Sequence, residues 1–110
     1  MATFIKGDIV VIPFPFSDLT SAKRRPALIV AILEGDDIIL CQITSQFIKD
    51  SYAISLNDTD FATGSLKQKS YIRPNRLFIA DSSIVLYQVG HLIQEKIDET
   101  IDKIVNILRK

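Results

Sequence analysis

Apolar residues along this chain follow two regimes: short runs rich in β-branched residues as far as Ala80, then a three- to four-residue period from Ile93 onward. DIVVIPFPF (8–16) opens as a strand behind Gly7, and Pro13 and Pro15 are expected to end its ladder because proline has no N–H. Ser17 to Arg25 is polar, shows neither period, and reads as a loop. PALIVAIL (26–33) and DIILCQIT (37–44) are apolar on both alternations and are joined by EGDD, which predicts a hairpin buried on both faces. YAISL (52–56) alternates weakly and reads as a short strand, and NDTDFATGS (57–65) reads as turns. SYIR and RLFIA (70–80) read as two strands interrupted by Pro74-Asn75.

In HLIQEKIDETIDKIVNILRK, Ile93, Ile97, Ile101, Ile104, Val105 and Leu108 form one stripe of an amphipathic helix. Glu95, Glu99 and Asp102 lie off that stripe, and Lys103, Arg109 and Lys110 gather toward the C-terminus, where the helix dipole favours cations. The stripe is expected to pack on the sheet. A β meander followed by one terminal helix predicts an α+β fold, a small barrel or twisted antiparallel sheet.

The chain has 110 residues, enough for one domain (1–110) with a single core. With 47% hydrophobic and 24% charged residues, it has the balance of a globular protein, not a disordered one. The segment MATFIKGD has no apolar signal core, and no apolar run nears the roughly 20 residues that span a bilayer, so no membrane role is expected. Cys41, the single cysteine, rules out an internal disulfide and points to a reducing, cytoplasmic setting.

Thirteen basic residues balance thirteen acidic ones, so bulk charge names no partner. The distribution says more. Residues 31–60 carry one cation and six anions, whereas residues 61–80 carry Lys67, Lys69, Arg73 and Arg76 and no acid. With Lys23, Arg24 and Arg25, that leaves basic segments on either side of an acidic one, which fits a local positive site or solvated surface charge.

Metal chemistry has little to work with. One histidine and one cysteine far apart make no typical zinc site, and DTD (58–60) is too short for a calcium loop. No metal or other cofactor is expected. His91, the only imidazole, lies at the entry to the terminal helix, away from the cation-bearing loops, and reads as a surface or helix-entry residue. No GxSxG, P-loop or dinucleotide glycine pattern occurs. What remains is a cationic and hydroxylic set. Arg25 begins one strand of the hairpin, and Thr44, Ser45 and Gln46 end the other, so antiparallel pairing brings them to one rim. A guanidinium fork beside a hydroxyl suits a phosphate, although arginines at strand ends are also ordinary salt-bridge donors.

KGDIVVIPFPFSDLTSAKRRPALIV, then QITSQ and SYIRPNRLFIADSSIVLYQVG, resembles the PemK/MazF family of toxins from type II toxin–antitoxin systems. G-D-[IV]-V, a loop, and then R-P-[AV]-L-[IV]-[IV] is the most specific part. The resemblance implies an SH3-like barrel with a C-terminal helix, and a sequence-specific, metal-independent endoribonuclease (mRNA interferase) acting on single-stranded RNA. It further implies a homodimer, and a cognate antitoxin whose tail covers the RNA groove. By that resemblance Arg25 and Thr44 are the catalytic pair, Pro15 to Arg24 is a loop closing over substrate, and Arg73 is a further strand-borne basic residue.

RNA contacts are then expected from Phe16, Ser17, Lys23, Arg24, Ser45, Gln46, Lys49 and Arg73. Phe14, Phe16 and Phe47 could stack bases, with core packing the competing role, chiefly for Phe14. Cleavage through the neighbouring 2′-hydroxyl needs donors for the phosphorane charge, which Arg25 and Thr44 supply. It also needs a base, and a permanently protonated arginine leaves that post unassigned. Family helices often open on a serine or aspartate cap where this chain has Ile93, so its helix start is expected to be capped another way or to fray. Two other readings share the fold: a non-catalytic gyrase-binding toxin and an inactive homologue that only binds antitoxin.

Overall fold

The computed structural model describes residues 3–14 and 23–110, without the side chain of Phe14. Phe16, Ser17 and most of the expected closing loop therefore lie outside the described residues. Seven strands form one sheet: β1 (Asp8–Phe14), β2 (Lys23–Ile32), β3 (Asp37–Thr44), β4 (Ile54–Leu56), β5 (Phe61–Gly64), β6 (Ser70–Asp81) and β7 (Tyr87–Leu92). The order across the sheet is β4-β6-β3-β2-β1-β7-β5, with every pairing antiparallel. The sheet curls into a half-barrel, and one helix, α1 (Gln94–Leu108), closes the chain.

The hairpin forms where its pattern puts it, with Leu28 opposite Cys41 and Gly35 taking φ 73° in the turn. Two proline readings need correction. β1 does not stop at Pro13, which pairs with Arg24. The Val11 carbonyl points toward β7 and accepts from Leu86 N, and β1–β7 pairing ends at Val11. Pro13, two residues on, thus turns its missing N–H to a side with no partner strand. SYIR and RLFIA are likewise one strand, β6. Adjacent residues Cys41 and Gln42 face Leu77 and Arg73, so Pro74, Asn75 and Arg76 bulge from the ladder. The Cys41 thiol donates to the Arg73 carbonyl at the edge of that bulge (2.9 Å).

β5 forms inside the stretch that reads as turns. Its pairing with β7 needs two glycines, since a Cβ on Gly64 would stand 2.0 Å from the Val89 carbonyl and one on Gly90 2.5 Å from that of Thr63. Close backbone approach, which the sequence signals only as turn propensity, decides this edge.

Apolar side chains occupy both faces of the sheet. Ile9, Leu28, Cys41, Ile43 and Ile72 pack under Ile97 and Ile104 of α1, while Val10, Ile12, Ala27, Ile29 and Leu40 form a second cluster on the other face. The helix stripe docks as its period predicts, except that Val105 and Leu108 are exposed near its end. Ile93 caps α1 without a side-chain bond. Its carbonyl accepts from Lys96 N and Ile97 N, and its own N–H donates to the Asp60 carbonyl (2.9 Å), so the chain before β5 anchors the residue that opens the helix.

His91 is not a surface residue at the helix start. It lies in β7, 26% exposed, with Nδ1 2.8 Å from Oδ1 of the buried Asp8, whose carboxylate also accepts from Gln88 Nε2 and Ile5 N. No described helix is long and apolar enough to cross a membrane.

Candidate nucleic-acid interface

Strand register builds the site. Ile12 pairs with Arg25 and Thr44 pairs with Tyr71, while Ala27 pairs with Gln42. The β2–β3 pairing ends at Ala27–Gln42; continued two residues further, its register aligns Arg25 with Thr44. One row therefore crosses four strands: Ile12, Arg25, Thr44, Tyr71. The next row reads Val10, Ala27, Gln42, Arg73. Directly opposed side chains share a face at roughly 4.5–5.5 Å between Cβ atoms, so the continued register puts Arg25 and Thr44 on one face at the open end of the hairpin. Both rows lie on the face of the second apolar cluster, beyond Leu40 and Ile29, where that cluster gives way to polar residues.

Thr44 is 8% exposed, and its Oγ1 accepts from Gln46 N (3.2 Å), a local turn that ends β3 and fixes the hydroxyl. Arg25 is half-buried, whereas Lys23, Arg24, Ser45, Gln46 and Lys49 are exposed. None of Lys23, Arg24 and Arg25 pairs with a carboxylate among the described residues. Phe47 is 72% exposed and meets Tyr71 edge to face, with 6.1 Å between ring centroids; Lys69 Nζ stands 5.9 Å from the same tyrosine ring. The expected stacking residue therefore has a partner that the sequence reading missed.

Arg73 differs from the other cations. Its Nη2 lies 3.4 Å from Asp50 Oδ2, and its Nε is buried with no acceptor among the described residues, at a cost of about 1–3 kcal/mol. Partial burial pulls the Asp50 carboxyl up, but bonds from Ala53 N and Tyr52 N and the Arg73 guanidinium outweigh it and hold the carboxyl below the usual aspartate range. Cys41 behaves as a core residue, its thiol pushed up to about 12 by burial. No group of three metal-ligating side chains occurs among the described residues.

Asp50, Gln42 and Tyr71 are the residues that sequence reasoning missed. Their placement depends on the β3–β6 register, which the bulge at Pro74 resets. Period-two alternation in QIT and SYIR could have put Gln42 beside Thr44 and Tyr71 beside Arg73, each pair on one face, but could not have joined the two.

The comparisons bear on this arrangement. The family model described as PemK-like, MazF-like toxin of type II toxin-antitoxin system matches residues 5–108. Among solved structures, MazF (Form-I) from Deinococcus radiodurans has a TM-score of 0.77 at 16% identity, covering 100% of both chains. An endoribonuclease in complex with its cognate antitoxin, from a mycobacterial species, has 0.75 at 12%, covering 96% of this chain and 95% of that one. The Mycobacterium tuberculosis toxin MazF-mt6 has 0.68 at 18%, covering 93% and 96%. At these identities the structures show a shared fold. No curated protein sequence matches the chain.

Proposed function

The chain belongs to the PemK-like, MazF-like toxins of type II toxin–antitoxin systems, and from that premise we propose that it is a sequence-specific, metal-independent endoribonuclease cutting single-stranded RNA. The observation that carries this reading is the β2–β3 register, which continued past Ala27–Gln42 aligns Arg25, a cation with no carboxylate partner among the described residues, with the fixed hydroxyl of Thr44. Single-stranded RNA supplies what the pair needs: a phosphate, a 2′-hydroxyl to attack it, and unstacked bases to be read. Water takes the 2′-hydroxyl proton as the 2′-oxygen attacks the adjacent phosphorus, the 5′-oxygen leaves as a hydroxyl with a proton from solvent, and a 2′,3′-cyclic phosphate remains. Arg25 and Thr44 donate hydrogen bonds to the phosphorane oxygens as charge builds. Losing one such preorganised donor costs roughly 10²–10³ in kcat.

Lys23 and Arg24, next to Arg25 in β2, and the exposed Lys49 suit backbone phosphates, while Phe47 against Tyr71 suits a stacked base. The similar mycobacterial protein is an endoribonuclease in complex with its cognate antitoxin. This supports a nuclease silenced by an antitoxin, here with a homodimer as the working unit, which light scattering at micromolar protein would register at twice the chain mass.

The test incubates pure protein with a long mixed-sequence RNA in EDTA, beside Arg25→Ala, and maps product ends by primer extension. Discrete cuts at a short shared motif, absent with the folded variant, are expected. Cuts that survive Arg25→Ala, or that need added metal, overturn the assignment. A folded wild type that cuts nothing, freed of antitoxin, turns the reading to gyrase binding or to an inactive homologue, which a supercoiling assay separates.

A further inference from the structure

Asp50 is held twice over. Its Oδ1 accepts from Tyr52 N and Ala53 N, both at 3.0 Å, which fixes the carboxylate through its own turn and not through Arg73. The chain that follows is tied to α1 by lysines seven residues apart: Lys96 Nζ donates to the Ser55 carbonyl, Lys103 Nζ to the Ser51 carbonyl, and Lys110 Nζ to the Tyr52 hydroxyl while covering its ring. Oδ2 is left facing the Arg73 guanidinium. Arg73 sits one row from Thr44, opposite Gln42, with its buried Nε lacking an acceptor among the described residues.

We propose that Asp50 is a positioning residue, fixing Arg73 beside the Arg25–Thr44 row and thereby setting turnover. The turnover part rests on the ribonuclease reading. A long cationic side chain loses considerable rotamer freedom when it is held in one place. A carboxylate anchored by two backbone N–H groups removes that freedom before substrate arrives, whereas a mobile carboxylate would follow the arginine. Asp50 also puts a negative charge on a face meant for a polyanion, and its removal therefore acts in opposite directions on chemistry and on binding.

Asp50→Asn separates these effects. Its amide oxygen still accepts from Tyr52 N and Ala53 N, so the turn persists, but the charge facing Arg73 is gone. The expected result is a kcat about ten- to a hundredfold lower, with KM unchanged or reduced. Lost folding would instead lower kcat alone in proportion to the unfolded fraction, which a melting curve measures. Asp50→Asn in an Arg73→Gln background is expected to add nothing. The ¹⁵N-resolved Nε–H signal of Arg73, read without RNA, is expected to shift and exchange faster in Asp50→Asn. Should that variant fold poorly, Asp50→Ser keeps a local acceptor for the turn and serves in its place.

A kcat within twofold of wild type, additive losses in the double variant, or an Arg73 signal unmoved by Asp50→Asn overturns the proposal. If wild type cuts no RNA, the ribonuclease reading and the turnover clause fall together, and the Arg73 signal alone decides whether Asp50 holds it.

Discussion

At the scale of single residues, Arg25 and Thr44 differ in what holds them. Thr44 is fixed by its own turn and by burial, whereas among the described residues Arg25 has no side-chain partner and is positioned by the strand beneath it. Arg25→Lys keeps the charge but loses the planar fork, so cleavage of the mapped RNA is expected to fall at least tenfold with the melting temperature unchanged. Asp50 carries a pH dependence whose sign follows from its depressed titration. The carboxylate stabilises the fold at neutral pH, and that contribution is lost as pH falls below about 4. Acid unfolding of Asp50→Asn is therefore expected to show a shallower loss of stability than wild type across that window. Cys41, buried and with its thiol raised to about 12, is expected to react with a thiol reagent only as fast as the protein unfolds.

Elements are set by how local pattern meets neighbouring chain. α1 was legible because Ile97 and Ile104 recur on one face, and both are buried against the sheet. Ile97→Ala is expected to cost about 2–5 kcal/mol in urea unfolding. The hairpin of β2 and β3 was equally legible, since β-branched runs on either side of Glu34–Asp37 admit few other pairings. β5 was not legible, because Phe61–Gly64 becomes a strand only by lying on Gly90 at a distance no Cβ permits. Gly90→Ala is expected to break that edge, seen as faster amide exchange in Phe61–Gly64 while α1 stays protected. β6 was misread at Pro74 for a related reason: proline cannot serve a regular ladder, but the bulge takes it out of one.

The whole molecule resolves a puzzle in its charge. Net charge is zero, yet Lys23, Arg24 and Arg25 lie at the open end of the hairpin, and Glu34, Asp36 and Asp37 at its turn, with Asp37 opposite Asp81. Antiparallel strands carry the two signs to opposite ends, which gives a neutral protein one cationic rim. RNA affinity is expected to fall steeply with salt despite the neutral total. The logarithmic slope should be about −2 or steeper if three cations neutralise phosphates, by filter binding from low to physiological salt.

The sequence by itself determined the strands of the hairpin, the terminal helix with its packing face, and the gathering of Arg25 and Thr44 at the open end of that hairpin. These depend on local period and on neighbours joined by one short turn, which a linear pattern records. Only the tertiary structure decided that Tyr71 and Gln42 flank that pair, that Asp50 stands against Arg73 twenty-three residues away, and that His91 belongs to a strand beside Asp8. These contacts rest on a bulge, a glycine-lined edge and lysines reaching from α1, where cross-chain packing outweighs local preference.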